Sequence, residues 1–288
     1  EVARLLAAVS NKLKAIPGKE KCTSAHRQEI EILLLIHIML WTGSRVERAA
    51  GIRLCEEHHL DSKTELGIVV SMTGQIDKLR WRIKALAPDY KTVLDGTAEQ
   101  LRTRATSFDL PDLIGILPFI RRQMERHQKL KHNTAVFDTP PEVLEKRLKT
   151  WLNQYSPDGR ITITKLASTL WNQIYLHTGD PSLASCVTGE MHTLARVRLF
   201  YTTPSATLLR ELYSSAVHHL AKQTYEVLAK PFHSPPPWKA IEDGDEAVGA
   251  RLCPTVSAVR HLFKQLREDI ASAIDYVDRP GFIRYHNL

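Results

Sequence analysis

The sequence predicts a mainly α-helical fold: a helical domain with one small β-hairpin or sheet, followed by a further helical segment. Two observations carry that expectation. Apolar residues recur three and four apart through most of the chain, the period of one helix face. A single stretch, residues 67–85, breaks the period: GIVVSM is rich in β-branched residues, TGQID is turn-like, and LRWRIKA alternates apolar with basic side chains. With 288 residues, 43% apolar and 25% charged, the chain has the composition of a soluble globular protein and can bury a sizeable core.

The elements follow in order. EVARLLAAVSNKLKAI (1–16) has helical spacing, and HRQEIEILLLIHIMLWTG (26–43) reads as a largely buried helix that stops at Gly43, a residue suited to a C-cap. After the hairpin, DLPDLIGILPFIRRQMERHQKLKH (109–132) reads as a helix opening behind Asp109 and Pro111. It runs into a basic stretch, Arg121, Arg122, Arg126, Lys129 and Lys131 against Glu125. That stretch is either a solvated helix face or a surface that tracks phosphates. PPEVLEKRLKTWLNQY (140–155) starts on proline, whose missing N–H costs nothing in a first turn. ITITKLASTLWNQIYLHTGD (161–180) closes at Gly179, and PSLASCV (181–187) is a short helix behind Asp180. MHTLARVRLFY (191–201) reads as another short helix, and residues 205–230 as a long amphipathic one.

HSPPPWKAIEDGDEA (233–247), three prolines and then acid, reads as a linker, and residues 248–277 as a last helix. The expected organisation is a principal domain over 1–230, a Pro-rich and acidic linker over 231–247, and a helical segment over 248–288 that could open a further domain.

The formal net charge of +7 speaks about partners rather than fold, and nucleic acid is the commonest polyanion. Cys22, Cys55, Cys186 and Cys253 are scattered without a CxxC spacing, as expected of free thiols in a reducing compartment. Cys55 with His58 and His59 lacks a second ligand pair, so neither a metal nor another cofactor is expected. The longest apolar run, residues 32–41, is too short to span a bilayer, and no signal peptide opens the chain. A cytoplasmic protein without membrane contact is expected.

Two stretches could carry chemistry. In MHTLARVRLFYTTP (191–204), His192 stands nine residues before Tyr201, with Arg196 and Arg198 between them. A core helix here would bury Leu194, Val197 and Leu199 and leave the rest to water. A catalytic segment would aim the imidazole and the phenol at one phosphate. In LWTGSRVERAAGI (40–52), a buried helix ends in Thr-Gly and Arg45 follows two residues later. That spacing suits either a capped helix with a solvent arginine or a guanidinium held rigidly at the mouth of a turn.

Taken in order, these pieces resemble the tyrosine recombinases, the phage-integrase family, over roughly residues 25–225. T42-G43-S44-R45 is similar to the family's TG-x-R turn, and TGQIDKLRWR occupies its hairpin with Lys78 in place of the hairpin lysine. LASCVTGEMH with RVRLFY resembles the L-G-H…Y ending, with two residues inserted between Gly189 and His192. The family's H-x-x-R box finds only T162-I163-T164-K165, with Lys165 as counterpart of the second arginine and Arg160 as the other candidate. The carboxylate usual three residues after the first arginine is replaced by Arg48.

The resemblance implies a helical catalytic domain that breaks and rejoins double-stranded DNA, in recombination or integration of mobile elements, without ATP or metal. Tyr201 would be the nucleophile, Arg45 and Lys165 would hold the phosphate, Lys78 would be the general acid and His192 a hydrogen-bond donor. Arg80, Arg82, Arg121, Arg122, Arg196 and Arg198 would contact DNA. A homo-oligomer assembled on DNA and a nucleoid-associated location are further implications.

The chemistry explains why such residues are needed. A phenol with a pKa of about 10 is a poor nucleophile at neutral pH. Attack on a phosphodiester requires cations on the nonbridging oxygens and a proton for the leaving 5′-oxygen. Lysine is a point charge and replaces a forked guanidinium only in part. Two rival expectations therefore stand beside the enzyme. One is a DNA-binding module of the same fold without catalysis; the other is a helical interaction scaffold. Tyr213 is the runner-up nucleophile, and His218 and His219 read as surface residues.

Overall fold

A computed structural model describes residues 1–15, 24–55, 65–70, 79–86, 104–126, 131, 133–200, 202–229, 247–250 and 254–275. Among these the protein is mainly helical, with a small mixed sheet of four strands and a separate two-stranded pair.

The core is organised around α2 (Ser24–Thr42). Its apolar residues run all round the helix, so it can be stable only when enclosed. Leu33, Leu35, Ile36, Ile38, Met39 and Leu40 are all fully buried. Around it pack α1 (Val2–Ala15), α3 (Val46–Ala50), α5 (Pro141–Tyr155) and α6 (Ile163–Thr178). α5 turns Leu144, Leu148 and Leu152 inward, one residue per turn at i, i+4 and i+8. α7 (Pro181–Thr188) follows α6 through Gly179-Asp180. Gly179 adopts a left-handed conformation that ends α6, and the Asp180 carboxylate accepts the Ser182 N–H at 2.7 Å to open α7. α8 (Ala206–Val227) closes the domain, packing on α1, α6 and α7.

The sheet has the order β1-β2-β3-β5, with β1 (Arg53–Cys55) parallel to β2 (Leu66–Val69) and the other pairs antiparallel. β2 and β3 (Arg80–Lys84) are the arms of the expected hairpin, whose connecting residues 71–78 lie outside the described residues. β5 is Ser107–Pro111 and corrects the expectation of a helix opening behind Asp109. Phe108 and Leu110 lie opposite Ile83 and Trp81, and this apolar pairing outweighs the turn signal of the nearby proline. The helix, α4, begins only at Leu117 and ends at Arg126. Asp112 opens it, accepting the N–H groups of Gly115, Ile116 and Leu117 at 2.8–3.3 Å. Burial pushes the Asp112 carboxyl up, and these backbone donors oppose the shift.

Residues 247–250 fasten back onto the domain. β6 (Ala247–Val248) pairs with β4 (Arg104–Ala105), and the Val248 and Ala250 N–H groups donate to the Pro204 and Thr202 carbonyls. The expected linker before residue 247 lies outside the described residues. α9 (Val256–Asp275) exposes apolar Val256, Leu262, Phe263 and Ile270. No described helix is long and apolar enough to cross a membrane.

A candidate active site at the junction of two helix ends

The candidate site forms where the C-terminus of α2 meets the C-terminus of α7. α2 ends because Gly43 takes φ +67° and donates its N–H to the Met39 carbonyl at 2.9 Å. A side chain at Gly43 would meet the Thr188 methyl at 2.5 Å. α7 ends in the same way at Gly189, φ +65°, where a side chain would run into the Arg48 guanidinium. Two glycines thus let two helix ends touch, each excluding a Cβ for steric reasons as well as for its backbone conformation.

Arg48 lies beneath this contact and is almost fully buried. Nη1 donates to the Thr188 carbonyl at 2.6 Å and Nη2 to the Glu65 carbonyl at 2.8 Å, so the guanidinium joins α7 to the start of β2. Burial pushes its pKa down, while Glu190 and Glu65 push it back up. A guanidinium stays charged across the whole working range of pH, so Arg48 is a permanent buried cation with a structural task.

Above the junction opens a cavity of about 440 Å³, lined by Arg45, Glu47, Glu145, Thr164, Ala167, Ser168, Trp171, Glu190 and His192 among others. Arg45 precedes α3 and its side chain is 70% exposed. His192 is held by two contacts. Its ring stacks on Trp171 with centroids 4.1 Å apart, and Nδ1 accepts the Leu194 N–H at 3.4 Å. Trp171 is itself fixed, donating Nε1–H to the Ser185 hydroxyl at 3.0 Å and stacking on Tyr175. A neutral imidazole that accepts at Nδ1 carries its proton on Nε2 and is a donor there.

Arg45 and His192, expected as site residues and distant in the chain, line one cavity. Lys165 does not line it. Its ammonium donates to the Arg160 carbonyl at 2.7 Å, and the α6 residues facing the cavity are Ile163, Thr164, Ala167, Ser168 and Trp171. The i, i+3 pairs on that face are Thr164 with Ala167 and Ser168 with Trp171, the first of them two residues later than the pair expected to end at Lys165. Arg160 is exposed and pairs with Asp158 at 2.9 Å. Tyr201 and Lys78 lie outside the described residues. Tyr213, the alternative nucleophile, is buried, and burial pushes its phenol well above the ordinary value, with Asp112 adding to the shift. Such a phenol cannot serve as the nucleophile.

The expected DNA contacts divide. Arg82 is buried, with Nε and Nη2 donating to the two Asp109 oxygens at 2.7 and 2.9 Å. Arg80 lies 3.8 Å from the same carboxylate with a side chain only 13% exposed. This corrects the expectation that both face DNA: the alternation of β3 gives it a basic face, but Asp109 of the neighbouring β5 engages both arginines, and α8 packs on β5, where Arg210 donates to the Asp109 carbonyl at 3.0 Å. Arg121 is largely buried and pairs with Glu125 at 2.8 Å, while Arg122 is exposed. Arg196 and Arg198 are exposed.

The stretch around them is not the short helix expected. It forms two 3₁₀ turns, Thr193–Ala195 and Arg198–Phe200, that bury Ala195 and Leu199 and leave Leu194 and Val197 outside. The sequence pattern does not single out Trp171, Glu145 or Glu190. Only the face of α6, counted from its Thr162 cap, contains a signal for the first. Comparison with family models, with curated proteins and with solved structures finds no match to this chain.

Among the described residues no cluster of His, Cys, Asp or Glu could hold a metal ion. Cys55 and Cys186 are buried thiols outside any disulfide, and burial pushes the Cys186 thiol up to about 12, with Asp180 adding to the shift. Neither thiol is a candidate nucleophile.

Proposed function

We propose that the chain is a DNA breaking-and-joining domain of the tyrosine-recombinase type, a site-specific recombinase or integrase acting through a 3′-phosphotyrosine. The observation that supports it is the convergence of Arg45 and His192 on one cavity behind the abutting caps Gly43 and Gly189. A guanidinium and an imidazole Nε2–H donor, both held next to helix ends, suit the nonbridging oxygens of a phosphodiester. In this reading the Tyr201 phenol loses its proton to solvent water and its oxygen bonds to phosphorus, the P–O5′ bond breaks, and Lys78 gives a proton to the leaving 5′-oxygen.

One observation favours a second reading, a DNA-binding module that has lost catalysis. The α6 face that lines the cavity presents Thr164, Ala167 and Ser168, none of them a cation, and Glu47, Glu145 and Glu190 share the lining. Loss of a single oxyanion stabiliser costs on the order of a hundred- to a thousandfold in rate.

A nicked suicide duplex separates the two. A covalent adduct on a denaturing gel that disappears in Tyr201→Phe supports cleavage. Salt-sensitive binding without an adduct supports the module. No binding to any duplex at low salt defeats both and leaves a helical scaffold.

A further inference from the structure

Arg45 carries the phosphate in the reading just given, and the inference below rests on that reading. In the structure Arg45 already has an anionic partner. Glu190 Oε1 accepts the Arg45 peptide N–H at 3.3 Å, and Oε2 lies 3.6 Å from the Arg45 Nε. The same carboxylate is 3.8 Å from Arg48 Nη1.

Two main-chain carbonyls hold the Arg48 guanidinium in place, and Glu190 also supports its buried charge. Arg45 has no side-chain cap to offer α3 and stands mostly in solvent. The Glu190 carboxylate is carried by a stiff turn. Gly189 before it is pinned over Arg48, and the Glu190 N–H donates to the Thr188 hydroxyl at 3.4 Å. Its side chain is 23% exposed, less hydrated than an ordinary surface carboxylate. A carboxylate and a phosphate seek the same guanidinium donors in the same geometry. Glu47 and Glu145 add negative charge to the cavity without replacing Glu190 at Arg45.

We propose that Glu190 is an internal competitor for the phosphate: it occupies Arg45 in the DNA-free protein, and a phosphodiester gains Arg45 only by displacing it. The contact keeps an exposed guanidinium from holding stray anions, and it makes engagement of the scissile phosphate conditional on the rest of the DNA contacts.

The test is a set of four proteins, wild type, Glu190→Gln, Arg45→Gln and the double variant, titrated with a fluorescein-labelled duplex at fixed salt. Glutamine keeps an acceptor for the Arg45 N–H and removes the charge. Glu190→Gln is expected to tighten binding about two- to fivefold, in keeping with a partly exposed ion pair. That gain is expected to vanish when Arg45 is also glutamine. An equal gain in the Arg45→Gln background would show simple loss of negative charge and overturn the proposal. So would weaker or unchanged binding by Glu190→Gln while Arg45→Gln lowers affinity; the phosphate role of Arg45 would then survive. If Arg45→Gln itself binds like wild type, that role is lost and the competitor with it. Should Glu190→Gln fail to fold, Glu190→Asp withdraws the carboxylate by one methylene. A smaller gain in the same direction is then expected, and no gain overturns the proposal.

Discussion

Arg82 on β3 and Asp109 on β5 face each other across the sheet and form a two-pronged ion pair, Nε to Oδ1 at 2.7 Å and Nη2 to Oδ2 at 2.9 Å. Both are buried, and Arg210 of α8 donates to the Asp109 carbonyl. The pair therefore joins the hairpin to the helix that closes the domain. A buried charge is tolerated only while its partner stays in place.

Removing one member should cost stability rather than DNA contacts. Arg82→Met is expected to lose up to about 3 kcal/mol in a denaturant titration, because the buried Asp109 carboxylate loses its two-pronged partner and is left with Arg80 at 3.8 Å. The slope of log affinity for duplex against log salt should be unchanged in folded Arg82→Met. Arg198→Ala, at an exposed position, is expected to reduce that slope by about one. A reduced slope in Arg82→Met would place that side chain at the DNA after all.

Ala167 marks where a second cation would enter the cavity. Ala167→Arg is expected to raise adduct formation on a nicked duplex by about ten- to a hundredfold, with Ala167→Lys gaining less because it cannot fork. Lys165→Ala should leave the adduct yield unchanged, since its ammonium is bonded to the Arg160 carbonyl outside the cavity. A rate lost with Lys165, and none gained at 167, would return the role to Lys165.

The helical frame was legible because local rules and packing agree there. The caps Gly43, Gly179 and Asp180 stand where composition and period put them, while the cap Gly189 was not read from the sequence. The site was legible only at its helix ends. Arg45 and His192 follow the glycine turns, so their placement is set by short-range geometry. The residues between them are set by rotation about α6, and a shift of two positions turns a side chain through more than half a turn. Lys165 and Arg160 were the cations near the right place in the sequence, and neither lines the cavity. β3 failed for a different reason. Alternation shows that one face is basic, but only tertiary contact shows that Asp109 engages Arg80 and Arg82 there.

The two caps at the site should be far less tolerant than the cap of α6. Gly179 takes φ +69°, and a Cβ there would find no atom within 4 Å, so Gly179→Ala should cost about 1–2 kcal/mol for its backbone alone. Gly43→Ala and Gly189→Ala add steric overlap with Thr188 and Arg48 and should cost about 2–5 kcal/mol. Urea midpoints at a constant m-value give the comparison. Equal losses at all three positions would show that the helix ends can separate without penalty.

His37, in the middle of α2, should make the whole domain sensitive to mild acid. Its ring is buried among apolar side chains and accepts the Trp41 indole N–H at Nδ1 at 3.0 Å, while Nε2 has no partner among the described residues. Burial lowers its pKa from 6.5 to about 4. The folded state thus binds fewer protons than the unfolded state between those values, and stability must rise with pH across that interval. The contribution is complete above pH 6.5 and is lost as pH falls towards 4, about 3 kcal/mol in all. His37→Gln keeps an acceptor for Trp41 and cannot titrate. Urea unfolding at pH 7, 6, 5 and 4 should show the wild type losing stability more steeply than His37→Gln by about that amount. Parallel curves for the two proteins would mean that the imidazole becomes charged in place, with water or a moved side chain reaching Nε2.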